Sequence, residues 1–241
     1  MSHNEKELFI NDIILFRDNI SYLENCKNTF KIIFDNINLI KQFDSPDLYL
    51  KTNNEIIGIE TFKFSAYKTS RKKGDCSKKE QEENFLKNES KFDKCEKNYL
   101  YDEKFLEAEK SLYNYEKNFI DTFNVHYQKV KKYKKNLEIY SKNITIFFYI
   151  EDTTTEKNEI EFNHEKILYN FTMNKNILHF LKGKKEIDGI IFKCNNVEES
   201  RIYCLKLNDE DIELLIEKNK NFFNKELEKR EVKLINYLGR F

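Results

Sequence analysis

Two acidic residues, Asp47 and Glu60, bracket a stretch, Ser45 to Glu60, that reads as a tight β-hairpin. Asparagine tolerates positive φ, and apolar or β-branched residues flank Asn53-Asn54 on both sides, so the spacing predicts a two-residue turn there. Such a turn pairs Thr52 with Glu55, Leu50 with Ile57, Leu48 with Ile59 and Asp47 with Glu60. The two acids then share one face, with Cβ atoms roughly 5 Å apart. Like charges so placed repel, and three arrangements relieve them: solvation, a shared proton, or a bound divalent cation. Mg²⁺ or Mn²⁺ would suit the third, because hard cations prefer carboxylate oxygens and keep several waters. A register slip of one residue would instead send the acids to opposite faces. Gly58, on the face of Glu60, leaves space for a ligand or for packed backbone.

Other residues that can do chemistry are fewer. The segment Tyr67-Lys68-Thr69-Ser70-Arg71-Lys72-Lys73-Gly74-Asp75 is a polar, basic loop. Lys68, Arg71, Lys72 and Lys73 could grip phosphates there with the amides around Gly74, while Tyr67 stacks on a base. Ordinary soluble surface is the plainer account in so lysine-rich a chain. Glu151 and Asp152 leave a candidate strand at its C-terminal end, where open α/β sheets tend to place ligands, or else form a polar strand exit. The histidines at 3, 126, 164 and 179 show no metal-ligand spacing, and His126 reads as helix surface or core edge. The cysteines at 26, 76, 95, 194 and 204 never form a Cys-x-x-Cys pair, so they read as small buried hydrophobes in a reducing compartment.

The elements that carry these residues follow from periodicity. From Lys6 to Phe43 apolar residues recur at three- and four-residue steps, which predicts one or two amphipathic helices closed by Pro46, the only proline. The hairpin comes next, with its second strand running from Glu55 to about Phe64. From about residue 80 to Tyr140 the pattern predicts long helices, an insertion whose charged faces include Glu-to-Lys spacings that support exposed helix. Ile144 to Ile150 is short, β-branched and aromatic, hence a central strand buried on both faces. A loop or short hairpin follows, then a helix from Glu165 to Lys182 and strands at Ile187–Cys194 and Arg201–Leu207. A last helix opens on Asp209-Glu210-Asp211, acids favoured by the helix dipole, and runs to about Leu238.

Composition bounds the class. At 241 residues the chain can bury a substantial core, and one domain over 1–241 accounts for it. Lysine plus arginine number 42 and aspartate plus glutamate 42, so no global field draws the chain to nucleic acid or membrane, and any basic site is local. The N-terminal residues lack a basic n-region followed by an apolar h-region, and no window approaches about 18 apolar residues, which predicts a cytoplasmic protein with no membrane partner.

Pro46-Asp47 and a second strand ending in Gly58-Ile59-Glu60, after an opening helix and before another helix and strand, resemble the PD-(D/E)XK nucleases, the restriction-endonuclease-like superfamily. The resemblance covers residues 1–65 and, more loosely, the strand at Ile144 to Ile150. It implies an α/β domain, with α+β as the alternative: a central mixed sheet of about five strands, helices on its flanks and the helical insertion at 80–140. It further implies Mg²⁺ or Mn²⁺ on Asp47 and Glu60, a catalytic lysine two residues beyond the second acid, and hydrolysis of nucleic-acid phosphodiesters. Phe62 stands at that lysine position, and Lys63 points to the other face. Lys72 is the catalytic cation expected from the loop, with Lys68, Arg71, Lys73 and Lys129 as further candidates. The alternative is a non-enzymatic relative that binds protein, such as a component or inhibitor of a bacterial or phage defence system. The apolar helix stripes leave room for a homodimer.

Overall fold

The computed structural model describes residues 5–23, 26–65, 108–153, 159–162, 165–168, 170–194 and 201–220. Helix α1 (Glu5–Leu15) and a 3-10 turn lead into strand β1 (Ile20–Tyr22). Helix α2 (Lys27–Asp35) and a second 3-10 turn lead into β2 (Lys41–Gln42). The hairpin is β3 (Leu48–Lys51) and β4 (Ile56–Phe64). Helices α3 (Ala108–Tyr127) and α4 (Val130–Leu137) precede β5 (Ile144–Asp152). A separate hairpin, β6 (Glu159–Phe162) with β7 (Glu165–Leu168), comes before α5 (Lys175–Leu181). Strands β8 (Gly189–Cys194) and β9 (Arg201–Lys206) and helix α6 (Asp209–Lys218) complete the described order.

The architecture is α/β: a mixed sheet of seven strands in the order β1-β9-β8-β5-β4-β3-β2, with helices on its flanks. β4, β5 and β8 run parallel as the central trio, while β3 and β9 are antiparallel to their inner neighbours. Strand alternation divides the core in two. Ile57, Ile59, Phe147, Tyr149 and Ile191 pack with Phe9, Ile13, Phe30 and Ile33 of α1 and α2. Ile56, Phe62, Phe64, Ile146, Phe148, Ile150 and Phe192 pack on the other face with Phe119, Phe123, Tyr133, Leu137, Leu178 and Ile212. The apolar run of β5 is buried on both faces, as a central parallel strand requires.

All five strands legible in the sequence are present, and the sheet has two more. β1 and β2, three and two residues long, follow the two helices of the segment read as one or two amphipathic helices. They are too short to impose a period of two on an apolar pattern that the flanking helices dominate. The helix expected over Glu165–Lys182 is confined to Lys175–Leu181, and its first residues form β7 instead. Asparagine side chains set that boundary. Asn170 accepts from the Thr172 amide and Asn174 from the Ile177 amide, so the chain turns twice before the helix begins. Replacing Asn174 with alanine is expected to cost about 1 kcal/mol, read as a lower denaturation midpoint at unchanged slope. Residues 80–107 of the expected insertion and 221–238 of the expected last helix lie outside the described residues. Cys26, Cys194 and Cys204 are buried thiols, as expected; Cys76 and Cys95 also lie outside. Among the described residues no helix is long and apolar enough to cross a membrane.

Candidate functional site

The hairpin has the register that places Asp47 opposite Glu60: Leu48 pairs with Ile59, Tyr49 with Gly58 and Leu50 with Ile57. Thr52 closes the turn, its amide donating to the Glu55 carbonyl and its hydroxyl accepting from the Glu55 amide. β3 begins at Leu48 whereas β4 continues to Phe64, so the Thr61 amide projects past the paired strand. The Asp47 carboxylate takes it. Oδ2 accepts from Thr61 N at 2.7 Å and from Thr61 Oγ1 at 2.9 Å.

Glu60 is 5% exposed and carries its own donors. Its Oε1 accepts from the Tyr133 hydroxyl at 2.6 Å and from His126 Nδ1 at 2.7 Å. Tyr133 comes from α4 and is fully buried. Its hydroxyl is pushed far up by burial, then by the bond to Glu60, so it stays a donor. His126 comes from the last turn of α3, with a side chain 18% exposed, and its ring stacks on Phe62 at 4.1 Å and 10°. Phe62 meets Phe148 edge-on in turn, at 5.4 Å and 81°. The position where the resemblance expects lysine is thus a packed aromatic ring. Of the two readings of His126, helix surface or core edge, the second holds, and the ring lies against the acid. The signal available was the stripe Phe119, Phe123, His126, Val130, Tyr133, Leu137, in which a histidine and a tyrosine replace apolar residues on the face turned to the sheet.

Asp47 is pushed up to about 6, first by burial and then by the charge of Glu60, against the opposing bonds from Thr61. A folded-state value above the unfolded one means that the native chain binds the extra proton. Stability contributed by protonated Asp47 is therefore present below about pH 4 and lost as pH rises through about 6. Asp47→Asn is expected to remove that loss. Urea midpoints of the native chain minus those of the variant should fall between pH 4 and 6 and be level above it; a constant difference refutes the assignment.

The remaining expected residues separate. Lys63 turns to the opposite face, as the alternation predicted, and pairs with Glu151 at 2.9 Å. Glu151 also meets Lys193, so it adds nothing to the pair on the other side. Asp152 is in register with Phe64, four residues along β4 from Glu60 and thus about 13 Å away. Neither extends the site, because the first has the wrong strand parity and the second is too far along. The side chains of Leu137, Ile146 and Pro46 fill the space beside Gly58. Lys129 is exposed between α3 and α4, and the donors that reach Glu60 are His126 and Tyr133. Tyr67, Lys68, Arg71, Lys72, Lys73 and Gly74 lie outside the described residues.

Among the described residues no group of three or more His, Cys, Asp or Glu side chains is placed to hold a metal ion. The donor set is two carboxylates, of which the bonds above use Asp47 Oδ2 and Glu60 Oε1. Asp47 Oδ1 and Glu60 Oε2 take no part in those bonds, and by donor chemistry two carboxylates are the kind of set that holds Mg²⁺ while it keeps its waters. No family model, no curated protein and no solved structure matches the chain.

Proposed function

We propose that the chain is a divalent-metal-dependent phosphodiesterase of the restriction-endonuclease-like type, acting on nucleic acid through Asp47 and Glu60. One observation carries this reading: the hairpin register sets Asp47, one residue before β3, across from Glu60 on β4, near enough for the charge of Glu60 to raise Asp47. An opening helix, the hairpin, crossover helices and a parallel strand beside β4 follow the order that the resemblance implies. A bound Mg²⁺ or Mn²⁺ would neutralise the pair and supply Lewis-acid stabilisation of a phosphoryl oxygen. The chain's own part is to hold two carboxylates at fixed positions on a rigid sheet, Asp47 by Thr61 and Glu60 by His126 and Tyr133. The basic loop around Lys72 is where phosphate contacts and the missing cation are to be sought.

The test is cleavage of plasmid DNA, single-stranded DNA and RNA with Mg²⁺ or Mn²⁺. Asp47→Ala and Glu60→Ala are each expected to lower the rate about 10²-fold or more. Cutting that survives either substitution removes the mechanism. Phe62 in place of lysine favours a second reading, a relative that binds a protein partner and hydrolyses nothing. No metal affinity by calorimetry, with tight binding to such a partner, would decide for it.

A further inference from the structure

Glu60 receives both donors on the same oxygen, and this asymmetry has a consequence for any ion it holds. Two short bonds to Oε1 fix the rotation of the carboxylate and leave Oε2 as its one oxygen outside them. The donors come from consecutive helices, seven residues apart, and each is itself anchored. Tyr133 is fully buried in the core of α4. His126 lies flat on Phe62, which is braced edge-on by Phe148 of the neighbouring strand. Ligand carboxylates in metal sites are commonly oriented by hydrogen bonds of this kind, and their loss weakens the metal without removing a ligand.

We propose that Phe62, standing where a lysine is expected, serves as the platform for His126, and that His126 and Tyr133 are positioning residues that present Glu60 Oε2 to a divalent cation shared with Asp47. The inference rests on the metal-dependent reading above and deepens it. The motif position keeps a role in the site, but an indirect one: the aromatic ring orients the imidazole, and the imidazole orients the carboxylate. The arrangement differs from mere satisfaction of a buried acid in one measurable respect. A satisfied acid needs donors of any geometry, whereas a positioned one needs these atoms in these places.

The experiment is Mn²⁺ affinity of the full chain, by calorimetry and by the paramagnetic resonance of unbound Mn²⁺, beside thermal unfolding without metal. Tyr133→Phe and His126→Ala are expected to weaken Mn²⁺ about 10- to 100-fold. His126→Asn, whose amide can donate near the place of Nδ1, should recover most of that loss. Phe62→Leu, which keeps an apolar side chain but loses the stacking face, should fall between. Unchanged Mn²⁺ affinity in folded Tyr133→Phe and His126→Ala, with only the melting temperature lowered, overturns the positioning role and leaves the metal reading standing. His126→Asn no better than His126→Ala also counts against it, since geometry is then not what matters. A native chain without Mn²⁺ affinity, or affinity retained in Asp47→Ala and Glu60→Ala, overturns both.

Discussion

Lys193→Met is expected to destabilise the fold by about 3 kcal/mol at pH 7, in the range found when one partner of a buried ion pair is removed. Lys193 lies on β8, facing α1, with a side chain 10% exposed. Its Nζ donates to Asp12 Oδ1 at 2.7 Å and to Glu151 Oε1 at 3.4 Å, above the ring of Phe16. Methionine fills the volume but leaves two acids facing each other in a largely dry space. Asp12 keeps the Tyr149 hydroxyl and Glu151 keeps Lys63, so the damage stays near the lower end of that range. Urea unfolding at pH 7 checks this. Adding Asp12→Asn to the variant should restore part of the loss at pH 7; a deficit that persists unchanged would mean that packing, not charge, was lost.

Gly58→Val has the second large effect, about 2–3 kcal/mol, and it reaches the acids as well as the core. A Cβ at this position would stand 2.7 Å from Leu137 Cδ1, 2.8 Å from Ile146 Cδ1 and 2.9 Å from Pro46 Cγ. All three are closer than real contacts allow, and valine adds two methyl groups beyond the first atom. Leu137 belongs to the helix that carries Tyr133, and Pro46 precedes Asp47. Where the side-chain ends of Leu137 and Ile146 cannot swing aside in the packed core, relief of the clash displaces the donor of one acid and the backbone of the other. The expected result is a lower unfolding midpoint together with weakened Mn²⁺ affinity. A variant that loses stability while binding Mn²⁺ as before would show that the helix and the turn yield without moving the carboxylates.

The parts of this fold that were legible are those where one local rule acts alone. Asn53-Asn54 fixed the hairpin register, and the β-branched and aromatic run at Ile144–Ile150 marked the central strand, because both signals are short and uncontested. The edge strands were hidden because two or three residues cannot display alternation. The helix at Lys175 was overextended because a helical pattern says nothing of the asparagine turns that delay it. Of the site, the acids were visible from hairpin spacing, and so was the departure at Phe62. What Phe62 does instead was not, since His126 is 66 residues from Glu60 and only tertiary packing brings them together.

The seam at the outer edge of the sheet joins the two ends of the described chain. β1 pairs in parallel with β9, Ile20 opposite Ile202, and Cys26 Sγ donates to the Cys204 carbonyl across 178 residues. The first helices pack on this strand, far along the chain, as well as on the hairpin and β5. Contacts of such long range are slow to form, because the loop must close before any of them contributes. The seam therefore closes after the hairpin, whose partners are neighbours in sequence, and Ile202 and Cys204 complete a face that α1 and α2 already share with Ile57, Ile59 and Phe147.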